Sequence, residues 1–179
     1  MDAVDLEIRE AEDDDALRDL GLGQVDIAIT QEYDGEPLAR SDRFRYTTLV
    51  SDRLRLLAPP RFPTSVRLRD LTSSGWLVNG AHTRCARATE RILGAAGIVP
   101  RITGQTADNR TLLALVSAGH GATIAPELVA TESPGAITVA SVDLQVRRTI
   151  HAVTRAAVRD EHDDVLHSLT STREPRTRC

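Results

Sequence analysis

The chain has 179 residues, enough for one domain or two small lobes, and about 41% of them are apolar, so a sizeable core is possible. With aromatics at only 3%, that core has to be built from Leu, Val, Ile and Ala. The formal charge of −4, with arginine scattered and no long run of like charge, is the reverse of the basic footprint that phosphate binding needs, and argues against direct nucleic-acid binding.

In chain order, Val4–Ile8 (VDLEI) alternates apolar and polar residues and predicts a strand with one buried face. Asp13–Leu22 predicts a helix with acidic residues in its first turn, where the helix dipole favours them, and Gly21 and Gly23 end it. Val25–Ile29 (VDIAI) has Asp26 as its one polar residue and predicts a strand covered on both faces. Strand, helix, strand is a βαβ unit. Tyr46–Ala58 predicts one or two strands, stopped by the stiff connector Pro59, Pro60 and Pro63, the natural place for a lobe boundary. A short helix over Val66–Leu71 leads to a strand at Trp76–Val78, then a helix from Thr83 to Ala96 closed by Gly97. A strand in PRITGQT precedes a helix over Asn109–Ala118, with Asp108 or Asn109 as N-cap. The strand GATIA follows and Pro126 stops it. ITVASVD and RRTIHAVTRA are two further strands, and a last helix runs from about Asp160 to Thr170. The tail 172–179 lacks any period and is expected to be disordered.

No constellation for catalysis stands out. The chain has no nucleophile elbow, no Walker loop and no H-E-x-x-H, and GLGQ at Gly21 follows a helix and lacks a third glycine. His120 lies between Gly119 and Gly121 in LVSAGHGATIAP. Gly119 supplies the positive φ that ends a helix, Gly121 lets the backbone re-enter the sheet without a Cβ, and His120 is expected as a solvated turn residue. His162 and His167 are five apart, so they do not share a helix face as a metal pair would, and Glu10–Asp15 is a solvated helix start. No catalytic residue, metal site or cofactor is expected. Cys85 and Cys179 are too few for a disulfide framework and suit a reducing compartment. The acidic start carries no basic and apolar leader, and no run approaches the roughly 18–20 apolar residues of a membrane span. A cytoplasmic location is expected.

Three polar loops follow strands: Thr30–Gly35, Asn79–Arg84 and Thr106–Arg110. In open α/β sheets, ligands sit beyond the carboxyl ends of strands, where helix N-termini point their N–H groups. Thr83, Arg84, Asn109 and Arg110 are therefore candidates for holding a small anion, although Asn79, Thr83 and Asn109 also suit plain helix capping.

The segments VDLEIREAEDDDALRDLGLGQVDIAIT, LVSDRLRLLAPPRFP, VRLRDLTSSGWLV, CARATERILGAAGIVPRI and LLALVSAGHGATIAPELV follow one another in a familiar order over about Val4 to Leu169. Together the chain resembles the effector-binding domain of LysR-type transcriptional regulators. The resemblance implies an α/β, two-lobed fold like the type 2 periplasmic binding proteins, with lobe 1 at 1–58 and 157–171 and lobe 2 at 59–156. It implies a small effector held by Thr30, Gln31, Asn79, Gly80, His82, Thr83, Asp108, Asn109 and Pro126, and pairing into a homodimer. It also implies that the first strand and helix of lobe 1 are missing, and that DNA is reached only through a helix-turn-helix that this sequence does not contain. The alternatives are an enzyme on the same scaffold, with Asp108 and His82 as its only plausible pair, and a truncated remnant without ligand binding.

Overall fold

The computed structural model describes residues 6–63, 65–130, 137–141, 144–158 and 163–171, with the backbone alone for 137–141, 163 and 171. Strands and helices alternate, and the chain divides into two compact units. The first comprises Met1–Gln31, Leu38–Val50 and Thr149–Cys179; the second comprises Glu32–Pro37 and Ser51–Arg148. Among the described residues no helix is long and apolar enough to cross a membrane.

In the first unit, helix α1 (Asp13–Leu22) carries Asp13, Asp14 and Asp15 in its first turn, and Gly23 closes it at φ +75°. Strand β1 (Ile27–Tyr33) follows, and the strand order is β1, then β8 (Arg147–Arg155), then β2 (Phe44–Ala58). Leu20, Ala28 and Val153 are its buried apolar centre, with Leu17, Val25, Phe44 and Tyr46 packed around them. Helix α5 spans Asp163–Ser171.

Two expectations fail here. Leu6–Ile8 form no strand, and Leu6 and Ile8 are 58% and 88% exposed, because a strand exists only by pairing and no described neighbour offers these residues an edge. The remainder of VDLEI lies outside the described residues, as does the tail 172–179. β1 is covered on one face rather than two: Ala28 and Thr30 are buried while Ile29 between them is 49% exposed, because the buried apolar cluster packs against one face alone.

In the second unit, the segment Tyr46–Ala58 proves to be part of a single 15-residue strand, β2, which changes unit between Val50 and Ser51. The connector Pro59–Pro63 lies wholly within this unit. Strand β3 (Ser65–Val66) precedes a 3-10 turn at Leu68–Leu71, shorter than the helix expected there. Then come β4 (Gly75–Val78), α2 (Arg84–Ala95), β5 (Arg101–Gln105), α3 (Asn109–Ser117), β6 (Thr123–Pro126), α4 (Glu127–Ala130) and β7 (Ile137–Ser141). β2 pairs antiparallel with β6 and β7, and β7 pairs parallel with β3. β4 pairs parallel with β5. The core gathers Leu54, Leu56, Trp76, Leu93 and Ile124 on one side, and Leu57, Leu77, Leu112, Leu113 and Val116 on the other.

The turn around His120 follows the sequence reading. Gly119 has φ +89°, His120 is exposed, and its N–H bonds to Leu115 O at 3.0 Å. A Cβ on Gly121 would lie 2.7 Å from Gly75 O, because Ala122 pairs directly with β4.

Candidate functional site

The second unit sends three connections out of one sheet edge. β4 and β5 run parallel with Val78 beside Gln105, so their carboxyl ends lie together. Ala122 bridges Trp76 in the parallel sense, so β6 leaves by the same edge at Pro126. Beyond these ends lie Asn79–Thr83, Thr106–Asp108 and the start of α4.

The first two connections are joined. Asn79 Nδ2 donates to Asn109 Oδ1 at 3.2 Å, and the Thr106 N–H donates to Val78 O at 3.2 Å. Gly80 packs against Ala107: a Cβ there would be 3.7 Å from that of Ala107, ordinary contact, so space alone does not require the glycine. Each connection then opens a helix. Thr83 caps α2 by accepting the Ala86 N–H at 3.0 Å. Asp108 caps α3 more fully, accepting the N–H groups of Arg110 and Thr111 at 3.2 and 3.0 Å and the Thr111 hydroxyl at 2.6 Å. Those bonds, the hydroxyl first, hold the Asp108 carboxyl below the usual carboxylate range. Its oxygens are taken up by capping, and among the described residues no hydrogen bond joins it to His82.

The first turn of α2 contains no acidic residue, which leaves the positive end of its dipole uncompensated by carboxylate. His82, exposed on the loop before it, is the only non-glycine residue among those described with a positive φ, +71°. Nothing in the residues around His82 signals that conformation.

Three expected contacts remain. Thr30 and Gln31 belong to the first unit. Thr30 is 1% exposed and its Oγ1 has no hydrogen-bond partner among the described residues, while the Gln31 N–H donates to Asp13 Oδ1 at 2.9 Å. Pro126 is buried opposite Leu54, and the Leu128 N–H just after it donates to Asp52 Oδ2 at 3.1 Å. Asp52 is gripped in turn by Arg148 through two bonds of 2.9 and 3.0 Å, a buried pair that sequence periodicity could not reveal. Among the described residues no group of three or more His, Cys, Asp or Glu side chains gathers for a metal; His162 lies outside them.

A family model described as the LysR substrate binding domain matches residues 2–162. No curated protein matches the chain by sequence. Among solved structures, the chain is similar to the BenM effector binding domain with its effector benzoate, at TM-score 0.74 and 17% identity over 93% of this chain and 77% of that one. It is similar to the effector binding domain of QuiR in complex with shikimate, at TM-score 0.71 and 13% identity over 89% of this chain and 77% of that one. It also resembles the C-terminal domain of a probable LysR family regulator from Rhodococcus sp. RHA1, at TM-score 0.71 and 19% identity over 93% and 82%. Of a full-length BenM mutant the chain covers 56%. These likenesses give the fold as α/β, of the type 2 periplasmic-binding-protein-like class.

Proposed function

The chain belongs to the LysR substrate binding domain family, and from that premise we propose that it senses a small organic anion on behalf of a transcription regulator. The observation that carries this reading is the pair of helix-opening loops at one sheet edge, tied together by the Asn79–Asn109 hydrogen bond. Backbone N–H groups at the N-terminal end of a helix free of first-turn acids attract a carboxylate. The proposed contacts in the second unit are Asn79, Gly80, His82, Thr83, Asn109 and Pro126. Arg84 and Arg110, at the openings of the two helices, add positive charge.

Binding rather than catalysis is proposed, because Asp108 is engaged as a cap and held in its ionised form, which makes it a poor general base near neutral pH. Contact with DNA is assigned to a helix-turn-helix head, not to this acidic chain. A homodimer is proposed from apolar side chains left exposed on an edge strand: Ile102 on β5 is 47% exposed, and Val99 just before it is 91% exposed. A cytoplasmic setting accords with this role.

Benzoate and shikimate, the ligands named with BenM and QuiR, are both carboxylates. A thermal-shift screen of these two with amino acids and short organic acids tests the reading. A ligand at about one hundred times its Kd stabilises by about 2.7 kcal/mol and raises Tm by roughly 5–10 °C. Asn79→Ala should abolish most of that rise. If no acid in the panel raises Tm, the proposal of an organic anion fails.

A further inference from the structure

Helix α2 carries arginines at 84, 87 and 91, a spacing that sets them along one helix face. All three reach the segment Tyr33–Pro37. Arg84 Nη1 donates to Pro37 O at 3.0 Å, Arg87 Nε donates to Glu36 Oε2 at 3.3 Å, and Arg91 Nη1 lies 3.9 Å from Glu36 Oε1. Arg91 also covers Gly35, where φ is +82° and any Cβ would run into the guanidinium. The segment is closed on itself by reciprocal backbone bonds, Glu36 N–H to Tyr33 O at 2.8 Å and Tyr33 N–H to Glu36 O at 3.2 Å.

Arg87 also holds a second partner, in the ligand loop. Its Nη1 donates to His82 O at 2.7 Å, a short charge-assisted bond. His82 is the residue at φ +71°. A Cβ disfavours that conformation, which persists where the surroundings over-determine it. The turn is closed by the Thr83 N–H donating to Gly80 O at 3.4 Å, and it is gripped from outside by this guanidinium, anchored at its other side by a carboxylate that is 20% exposed.

We infer that Arg87 is a positioning residue: it ties the left-handed turn of Asn79–Thr83 to Glu36, so that the loop and the segment Tyr33–Pro37 change conformation together. The inference rests on the reading of that loop as a ligand contact. A guest that grips the loop then acts, through Arg87, on the segment that continues β1, and the coupling is reciprocal.

The test uses the whole chain without ligand, following amide hydrogen exchange at Ala81–Arg84 and Asp34–Glu36. Arg87→Gln removes the clamp at a side chain that is 42% exposed, so the core is left intact. Exchange in both segments should rise roughly tenfold, the scale of a left-handed residue released. In a His82→Gly background, glycine holds the turn unaided, and the same substitution should raise exchange in the loop less than about twofold. Arg91→Gln touches Glu36 but not His82, and should leave the loop unchanged. Equal effects of Arg87→Gln in both backgrounds, or an Arg91→Gln effect on the loop as large as that of Arg87→Gln, would overturn the inference. A parallel benzoate titration separates the two readings. If the parent chain ignores benzoate, the ligand assignment is weakened and the exchange result still decides the coupling. If it binds, Arg87→Gln should weaken binding about tenfold; a Kd unmoved by Arg87→Gln would overturn the positioning role.

Discussion

Leu20, Ala28 and Val153 make up the buried apolar centre described for the first unit, whereas the second packs Leu56, Trp76, Leu93 and Ile124 into one large cluster and Leu57, Leu112 and Val116 into another. The first unit compensates with directional bonds. Arg155 reaches from β8 to Leu20 O at 3.2 Å, Val25 O at 2.7 Å and Asp26 at 2.8 Å, tying the end of α1 to the approach to β1. Buried His151 lies between Arg40 and Thr48, and Arg40 also covers the Tyr46 ring at 4.3 Å. A packed interior loses stability through volume and buried charge; a tethered one loses it bond by bond.

The largest effect is expected where the packed unit buries charge. Asp52 and Arg148 have side chains 7% and 9% exposed, and Asp52→Ala removes the carboxylate that grips the buried guanidinium and accepts from the Leu128 N–H. About 3–5 kcal/mol should be lost in urea denaturation. A loss under about 1 kcal/mol would show that water reaches this pair, and would blur the contrast between the units. Next in size, Gly121→Ala drives a methyl group onto the backbone of Gly75 and should cost about 1–3 kcal/mol. Gly94→Ala, a helical site with open space around it, should instead stabilise by about 0.4–1 kcal/mol.

The tethered unit is tested by Arg155→Met. Three bonds are lost, but Arg155 is itself 25% exposed and Asp26 65%, so about 1–2 kcal/mol is expected. The diagnostic is location: amide exchange should accelerate in α1 and β1 while β4, α2 and α3 stay protected. Uniform acceleration would mean that the units unfold as one.

Smaller still is a pH effect confined to the packed unit. Burial pushes the Cys85 thiol above its ordinary range, and hydrogen bonds to Tyr33 and Thr89 and the charge of Arg148 offset this only in part. The folded thiol therefore keeps its proton after the unfolded one has lost it. Stability is complete below the ordinary thiol pKa and declines as pH rises from there toward the folded value. Between pH 8 and 9 the parent should lose roughly 0.3–0.7 kcal/mol more than Cys85→Ala, measured by denaturation at each pH. Parallel profiles for the two proteins would refute this.

The sequence was most legible where one residue type has one physical use. α1 and α3 stand close to their predicted bounds because acidic residues, caps and glycines mark their ends. The pair of loops at Asn79–Thr83 and Thr106–Asp108 was legible for the same reason. What stayed hidden depends on partners distant in sequence. VDLEI has the period of a strand but no described neighbour, and β2 runs through the point where the chain changes units, because pairing rather than proline decides where a strand stops. The Asp52–Arg148 pair joins residues 96 positions apart, and nothing local marks either one. The helical spacing of Arg84, Arg87 and Arg91 was visible, but their shared target was not.

The smallest expected effect concerns the glycine-flanked histidine. His120 is exposed, its N–H and C=O are bonded to Leu115 O and the Thr103 hydroxyl, and both bonds belong to the backbone. His120→Ala removes an imidazole and keeps the turn, since Gly119 and Gly121 bear the conformational demand. Stability should change by less than about 0.5 kcal/mol, the range of surface substitutions away from special features. The ligand response of the parent should also survive, because the histidine lies at the amino-terminal side of β6 and the proposed contacts lie beyond its carboxyl end. A loss of either by the alanine variant would mean that the side chain, and not the glycines around it, is what the LVSAGHGATIAP stretch presents.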